Sequence, residues 1–187
     1  MIPTLPLRAR NRLATTILAA LHDACARQRL AGVAGGDVAE VEWLGAEGQG
    51  AGVLLRQRAE SATRALAALP LGVAAPPLTE ALVSAAVLFD AGLAFEVHEL
   101  LEPYWVRADG EEREALQGLI QIAVGYQHLA NGNLAGARAL LDEGTTRIRG
   151  RNLAGIDCDA FARAARATIP RLTEGPTAPD FPRRRTS

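Results

Sequence analysis

Lysine is missing altogether: all 20 basic residues of this 187-residue chain are Arg, set against 21 acidic ones for a formal charge of −1. Because Ala is the commonest residue, the missing lysines read as coding bias, and no function is attached to them. The charge balance carries more weight. A general nucleic-acid binder shows a strong basic excess, so nucleic acid is not an expected partner. Cysteine is scarce. Cys25 and Cys158 cannot form a disulfide framework, and neither has a neighbouring Cys to make a metal-ligand pair; both read as small buried apolar side chains. No stretch approaches the about 18 uninterrupted apolar residues of a membrane span. Met1, the sole Met, reads as the native start, and no basic segment followed by an apolar run marks a signal peptide there. The expectation is a cytoplasmic protein without a membrane partner.

What is present is helical periodicity, in a chain that is 49% apolar. Over residues 8–30, Leu13, Ile17, Leu18, Leu21 and Leu30 predict one amphipathic helix ended by Gly32. Residues 31–52 are glycine-rich and acidic, a loop with a short strand-like piece near 38–44. A helix over 53–69 stops at Pro70, and the Pro-rich 70–77 segment is the best boundary in the chain. Thr79 is the expected N-cap of the next helix, which ends at Ala91-Gly92. Further helices are expected over 93–105, 113–130, 134–148 and 157–169, with a turn at Asn131-Gly132-Asn133. Everything periodic has the 3.6-residue repeat, so the fold class is all-α: a compact multi-helix bundle of antiparallel helices with an N-terminal helical extension. The organisation expected is an extension at 1–77, a core at 78–172 and a disordered tail at 173–187.

The scarce residues concentrate in the core. On a helical wheel, the FEVHELLEPYW segment puts Leu93, Val97, Leu100, Leu101 and Tyr104 on one side. Glu96, His98, Glu99 and Glu102 fall on the other, with Phe95 and Trp105. His98, Glu99 and Glu102 are neighbours at spacings of three and four. A solvated acidic face is the plain reading of such a run, but two large aromatics on it suggest a cover. The helix over 113–130 is apolar around most of its circumference, as a central buried helix is. Its exceptions, Glu114, Gln117, Gln121 and His128, form one strip, with Gly118 and Gly125 beside it. Helical glycines cost about 1 kcal/mol each relative to Ala, so the pair suggests close approach of another backbone. Buried amides and imidazoles need partners, which predicts an interface with His98, Glu99 and Glu102 on one side and Gln117, Gln121 and His128 on the other.

These strings resemble the signature of the domain-of-unknown-function family numbered 309, a small all-helical family of bacteria and archaea. The carriers are Phe95, Glu96, His98, Glu99, Glu102 and Trp105; then Gln117, Gly118, Leu119, Ile120 and Gln121; then His128, Gly132, Asn133, Gly136 and Ala137. The resemblance covers about residues 85–150 and implies a compact helical, prokaryotic fold with no established activity. A weaker similarity, through Gly125, His128, Gly132, Ala137 and Leu141, is to one tetratricopeptide hairpin, which supports an antiparallel helix pair.

The candidate functional cluster is therefore Glu96, His98, Glu99, Glu102, Trp105, Gln117, Gln121 and His128. Two functions compete for it. One is a binding module for a small ligand or a protein partner. The other is a metal-dependent or acid/base enzyme, hydrolase-like, in which His98, Glu99, Glu102 and His128 could hold a divalent metal. The segment departs from the H-E-x-x-H zinc signature, since Glu102 stands where the second His belongs. It also lacks the Glu-x-x-His pairing of di-iron bundles. A third reading treats the cluster as a satisfied polar network that fixes helix register. His22 reads as a half-buried packing residue. The N-terminal arginines Arg8, Arg10, Arg12, Arg27 and Arg29 read as a solvated helix face, because no aromatics interleave with them.

Overall fold

The structure, a computed structural model, describes residues 4–37, 40–45, 48, 50–174 and 178–184. It is an all-α bundle: α1 Leu7–Ala19, α2 Ala24–Gly35, α3 Glu40–Leu44, α4 Gly52–Ala67, α5 Leu78–Asp90, α6 Ala94–Arg107, α7 Gly110–Ala130, α8 Leu134–Ile148 and α9 Asp159–Thr168. A hairpin of β1 Asn152–Leu153 and β2 Ile156–Asp157 links α8 to α9, and a 3-10 stretch, Ile169–Glu174, follows. α1 packs on α6, α2 on α4, α4 on α5, α7 on both α6 and α8, and α9 on α8. One hydrophobic core runs through all of these, from Leu5 to Phe181.

Several local expectations change. The helix expected over 8–30 is two helices, because Asp23 caps a new start by accepting the Cys25 N–H at 2.8 Å. His22 falls in that break and is exposed, as is Cys25, whereas Cys158 is buried as expected. Residues 40–44 are helical rather than strand-like, and 38–39 lie outside the described residues. α5 begins at Leu78 behind Pro77, so Thr79 is inside the helix and not its cap. Pro suits this entry, since its ring presets φ and the first helical turn needs no N–H there.

One turn is used twice. Ala91-Gly92-Leu93 closes α5 onto α6, and Asn131-Gly132-Asn133 closes α7 onto α8, with Gly92 and Gly132 at φ 75° and 77°. In both, the glycine N–H returns to the carbonyl three residues back, Phe89 or Leu129, at 2.9 Å. A left-handed φ at this position favours glycine. The turns bring α5, α6, α7 and α8 together in sequence.

The end of the chain is the largest departure. A disordered tail was expected after Leu172, yet Phe181 is buried beside Phe89 and Phe161, with ring centroids at 5.3 and 5.5 Å. The Phe181 N–H donates to Asp90 at 2.9 Å, and Arg183 pairs with the same carboxylate. One aromatic with a place in the core is enough to hold a short Pro-flanked segment.

Candidate functional site

α6 sends its motif residues in different directions. Glu96 is fully buried and faces Arg58 of α4, with 3.2 Å between Arg58 Nη2 and Glu96 Oε2. Burial raises its pKa above the ordinary carboxylate value, while the Arg58 guanidinium and, more weakly, Arg10 oppose the rise. The pair is incompletely satisfied: Arg58 Nε and Glu96 Oε1 are buried without a hydrogen-bond partner among the described residues. Phe95 is buried beside Glu96, and the Arg10 guanidinium of α1 lies 4.2 Å above its ring. A cover for Phe95 does exist, then, but the N-terminal extension provides part of it.

Between these elements is a cavity of about 640 Å³. Arg10 and Arg58 line it together with Phe95, Asp90, Tyr126 and Pro179. The tail thus closes one side, and its anchor at Phe181 is next to the wall. Sequence reasoning missed both arginines as site residues, having read Arg10 as part of a solvated face. For Arg58 a signal was present. Leu55, Ala59 and Ala62 are buried along α4, and Arg58 lies within that stripe at helical spacing, where an arginine is out of place unless it is paired.

His98, Glu99 and Glu102 meet as their spacing predicts. One ligand atom from each lies within 4.8 Å of the others. His98 Nδ1 and Glu99 Oε1 are 3.1 Å apart; His98 and Glu99 are half-buried and Glu102 is exposed. A second cavity beside them, about 680 Å³ and mainly apolar, is lined by Glu99, Leu100, Tyr104, His22, Leu69 and Val73.

The strip on α7 does not join them. Arg147 of α8 donates to Glu114 at 2.6 Å and to Gln121 at 3.3 Å, and binds Glu143 at 2.9 Å. Hydrogen bonds from Gln121 and Arg147 hold the Glu143 carboxyl below its ordinary pKa. Asn133 caps α8 by accepting the Gly136 N–H, while its amide nitrogen meets His128 Nδ1 at 2.7 Å. His128, Gly132, Asn133 and Gly136 therefore build the α7–α8 turn, and His128 is apart from the His98 group. Gln117 is half-buried on α7. The expected α6–α7 polar interface is corrected to an α7–α8 one. Gly118 and Gly125 do admit a neighbouring backbone, but that neighbour is α8, at Gly144 and Leu141. Trp105 is half-buried at the end of α6 under the Arg113 guanidinium, 4.2 Å from its ring. No helix of the described residues is long and apolar enough to cross a membrane.

What fold and site define is an all-helical protein with a buried Glu96 paired to a half-buried Arg58 beside a cavity, and a His/Glu group on the same helix. Residues 82–140 match the model of the family described as Domain of unknown function (DUF309). The resemblance drawn from the motifs thus holds across α6, α7 and their turns, with Arg10 and Arg58 outside the matched span. No curated protein and no solved structure matches the chain.

Proposed function

We propose that this protein is a small-ligand-binding module whose ligand enters the cavity between α1, α4, α6 and the residue 178–184 segment. The observation that carries this reading is the cavity of about 640 Å³ that Arg10 and Arg58 line together with Leu54, Phe95 and Tyr126. Its volume and its mixed apolar and polar lining suit a small molecule. The test is a two-dimensional amide NMR screen of the full chain with a fragment set of mixed charge. Hits that shift the Ala94, Phe95 and Asn131 amides support the reading. Hits confined to other surfaces, or no hit at millimolar concentration, overturn it.

A second reading is favoured by the His98–Glu99–Glu102 geometry: a divalent metal held by one nitrogen and two carboxylates, a donor set that suits zinc. Bound there, a metal would supply Lewis acidity for a hydrolase-like reaction in the neighbouring apolar cavity. Calorimetric titration with zinc chloride decides it. Stoichiometric binding lost in both His98→Ala and Glu99→Gln supports it, and heat that is unchanged in these variants removes it.

A further inference from the structure

On its α1 and α4 side the Arg58 cavity carries more positive than negative charge. Glu96 is a single carboxylate acted on by two guanidiniums, Arg58 in contact and Arg10 through space. Both are permanent cations, so one positive charge is left over. Arg10 meets the neutral side-chain oxygen of Asn11 at 3.2 Å and has no ion-pair partner among the described residues. Elsewhere on the wall, Asp90 is engaged by the Phe181 N–H and by Arg183, and Asp180, which also lines the cavity, is exposed to solvent that screens its charge. Leu54, Ala94 and Phe95 add apolar surface to the same lining.

We infer that the cavity takes a small monocarboxylate with an apolar body, its head group bridging Arg10 and Arg58 and its body against Phe95 and Leu54. The inference rests on the small-ligand reading above and adds the ligand's class. A guanidinium fork matches a carboxylate with two parallel hydrogen bonds. One arginine without an ion-pair partner suits a monoanion, and the carboxylates of Glu96, Asp90 and Asp180 around the cavity disfavour the second charge of a phosphate monoester. An ammonium ligand would have to approach two cations in a site of reduced dielectric, where like-charge repulsion is strong.

The experiment uses four probes with one common body: 3-phenylpropionate, 3-phenylpropionamide, 3-phenylpropylamine and 3-phenylpropyl phosphate. Each is titrated into the full chain at pH 7 and followed by the amides of Leu54, Ala94 and Phe95. The carboxylate is expected to bind about tenfold or more tighter than the amide or the amine, as one charge-assisted hydrogen bond warrants, and tighter than the phosphate. Arg10→Gln, which leaves the Arg58–Glu96 contact intact, should weaken the carboxylate about tenfold, with only the small fall in melting temperature that losing the contact with the Phe95 ring brings. Arg58→Gln gives a second test wherever it folds. Amide or amine binding in the cavity as tight as the carboxylate overturns the carboxylate class while the ligand site stands. A phosphate that binds tightest, or Arg10→Gln binding like the parent, also overturns the class. Absence of cavity shifts with every probe and every screened fragment overturns both readings.

Discussion

Gly118 and Gly144 face each other across the α7–α8 crossing, so close that a β-carbon added to Gly144 would lie 2.8 Å from the Gly118 carbonyl oxygen. The reverse substitution is no easier, because a β-carbon on Gly118 would overlap Ile148 and sit 3.0 Å from the Gly144 carbonyl oxygen. An exposed helical Gly→Ala change ordinarily stabilises by about 1 kcal/mol. Here backbone blocks the space, and forcing atoms into a packed core costs about 1–3 kcal/mol. Gly144→Ala and Gly118→Ala should each destabilise, by roughly 1–2 kcal/mol net. Urea unfolding of the two variants checks this, and a gain in midpoint for either would show that the helices can separate at no cost.

Glu96 makes stability depend on pH in a stated direction. Its pKa in the folded protein is raised by burial above the ordinary 4.5, so the folded state takes up a proton before the unfolded chain does. The stability this brings is fully present below the ordinary value and is lost as pH rises through the raised one. Glu96→Gln removes the titration and keeps an oxygen for Arg58. Between pH 7 and pH 5, the wild type should therefore gain stability relative to Glu96→Gln. Parallel urea melts at several pH values measure the difference, and a gap that stays constant or moves the other way contradicts it. Glu96→Ala should be worse, at about 1–3 kcal/mol, because it takes the acceptor away from a half-buried Arg58.

How much of this was legible in sequence depends on what each residue had to reveal. The 3.6-residue pattern located α4 through α8 within a few residues, because those helices bury one face or nearly all faces. The break at Ala20–Asp23 was not legible, since alanine and leucine there continue a helix as readily as they end one. His98, Glu99 and Glu102 came together because helical spacing alone sets their distance. The partner of the α7 strip could not be read in the same way. α7 is apolar on most sides, so either neighbouring helix could take the glycine face; the glycines declared a close approach but not its owner. Glu96 and Arg58 are far apart in sequence, and only the tertiary packing of α4 on α5 brings them together. The cavity was invisible for the same reason, because its arginines and Leu54 come from the extension, Asp90, Ala94 and Phe95 from the core, and Asp180 from the last segment.

Phe181 should behave as a core residue despite its place near the end of the chain. It is 2% exposed and packs on Phe89 and Phe161, so Phe181→Ala removes an aromatic from a closed cluster. Truncations of this kind cost about 3–5 kcal/mol. Arg183→Ala, which breaks a half-exposed ion pair with Asp90, should cost no more than about 1 kcal/mol. Thermal unfolding of both variants separates the two effects. A Phe181→Ala protein as stable as the parent would mean that residues 178–184 do not pack on the core in solution.

Arg113 fastens the end of α6 to the start of α7, and its geometry predicts that lysine cannot replace it. Its Nη1 donates to the Trp105 carbonyl at 2.9 Å and to the Ala108 carbonyl at 3.3 Å, while its plane lies over the Trp105 ring. The last carbonyls of a helix have no intrahelical donor, so without this cap α6 loses its partner at a half-buried end. Lysine keeps the charge and a donor but lacks the guanidinium surface that covers the Trp105 ring. Arg113→Lys and Arg113→Ala should therefore both destabilise, by about 1–3 kcal/mol, through lost charge-assisted hydrogen bonds and the cation–π contact. Arg166→Ala, which opens an exposed pair with Asp142, serves as the contrast and should fall within about 1 kcal/mol of the parent. If Arg113→Lys unfolds at the parent's urea midpoint, the positive charge alone secures the α6–α7 corner and the carbonyl cap contributes nothing measurable.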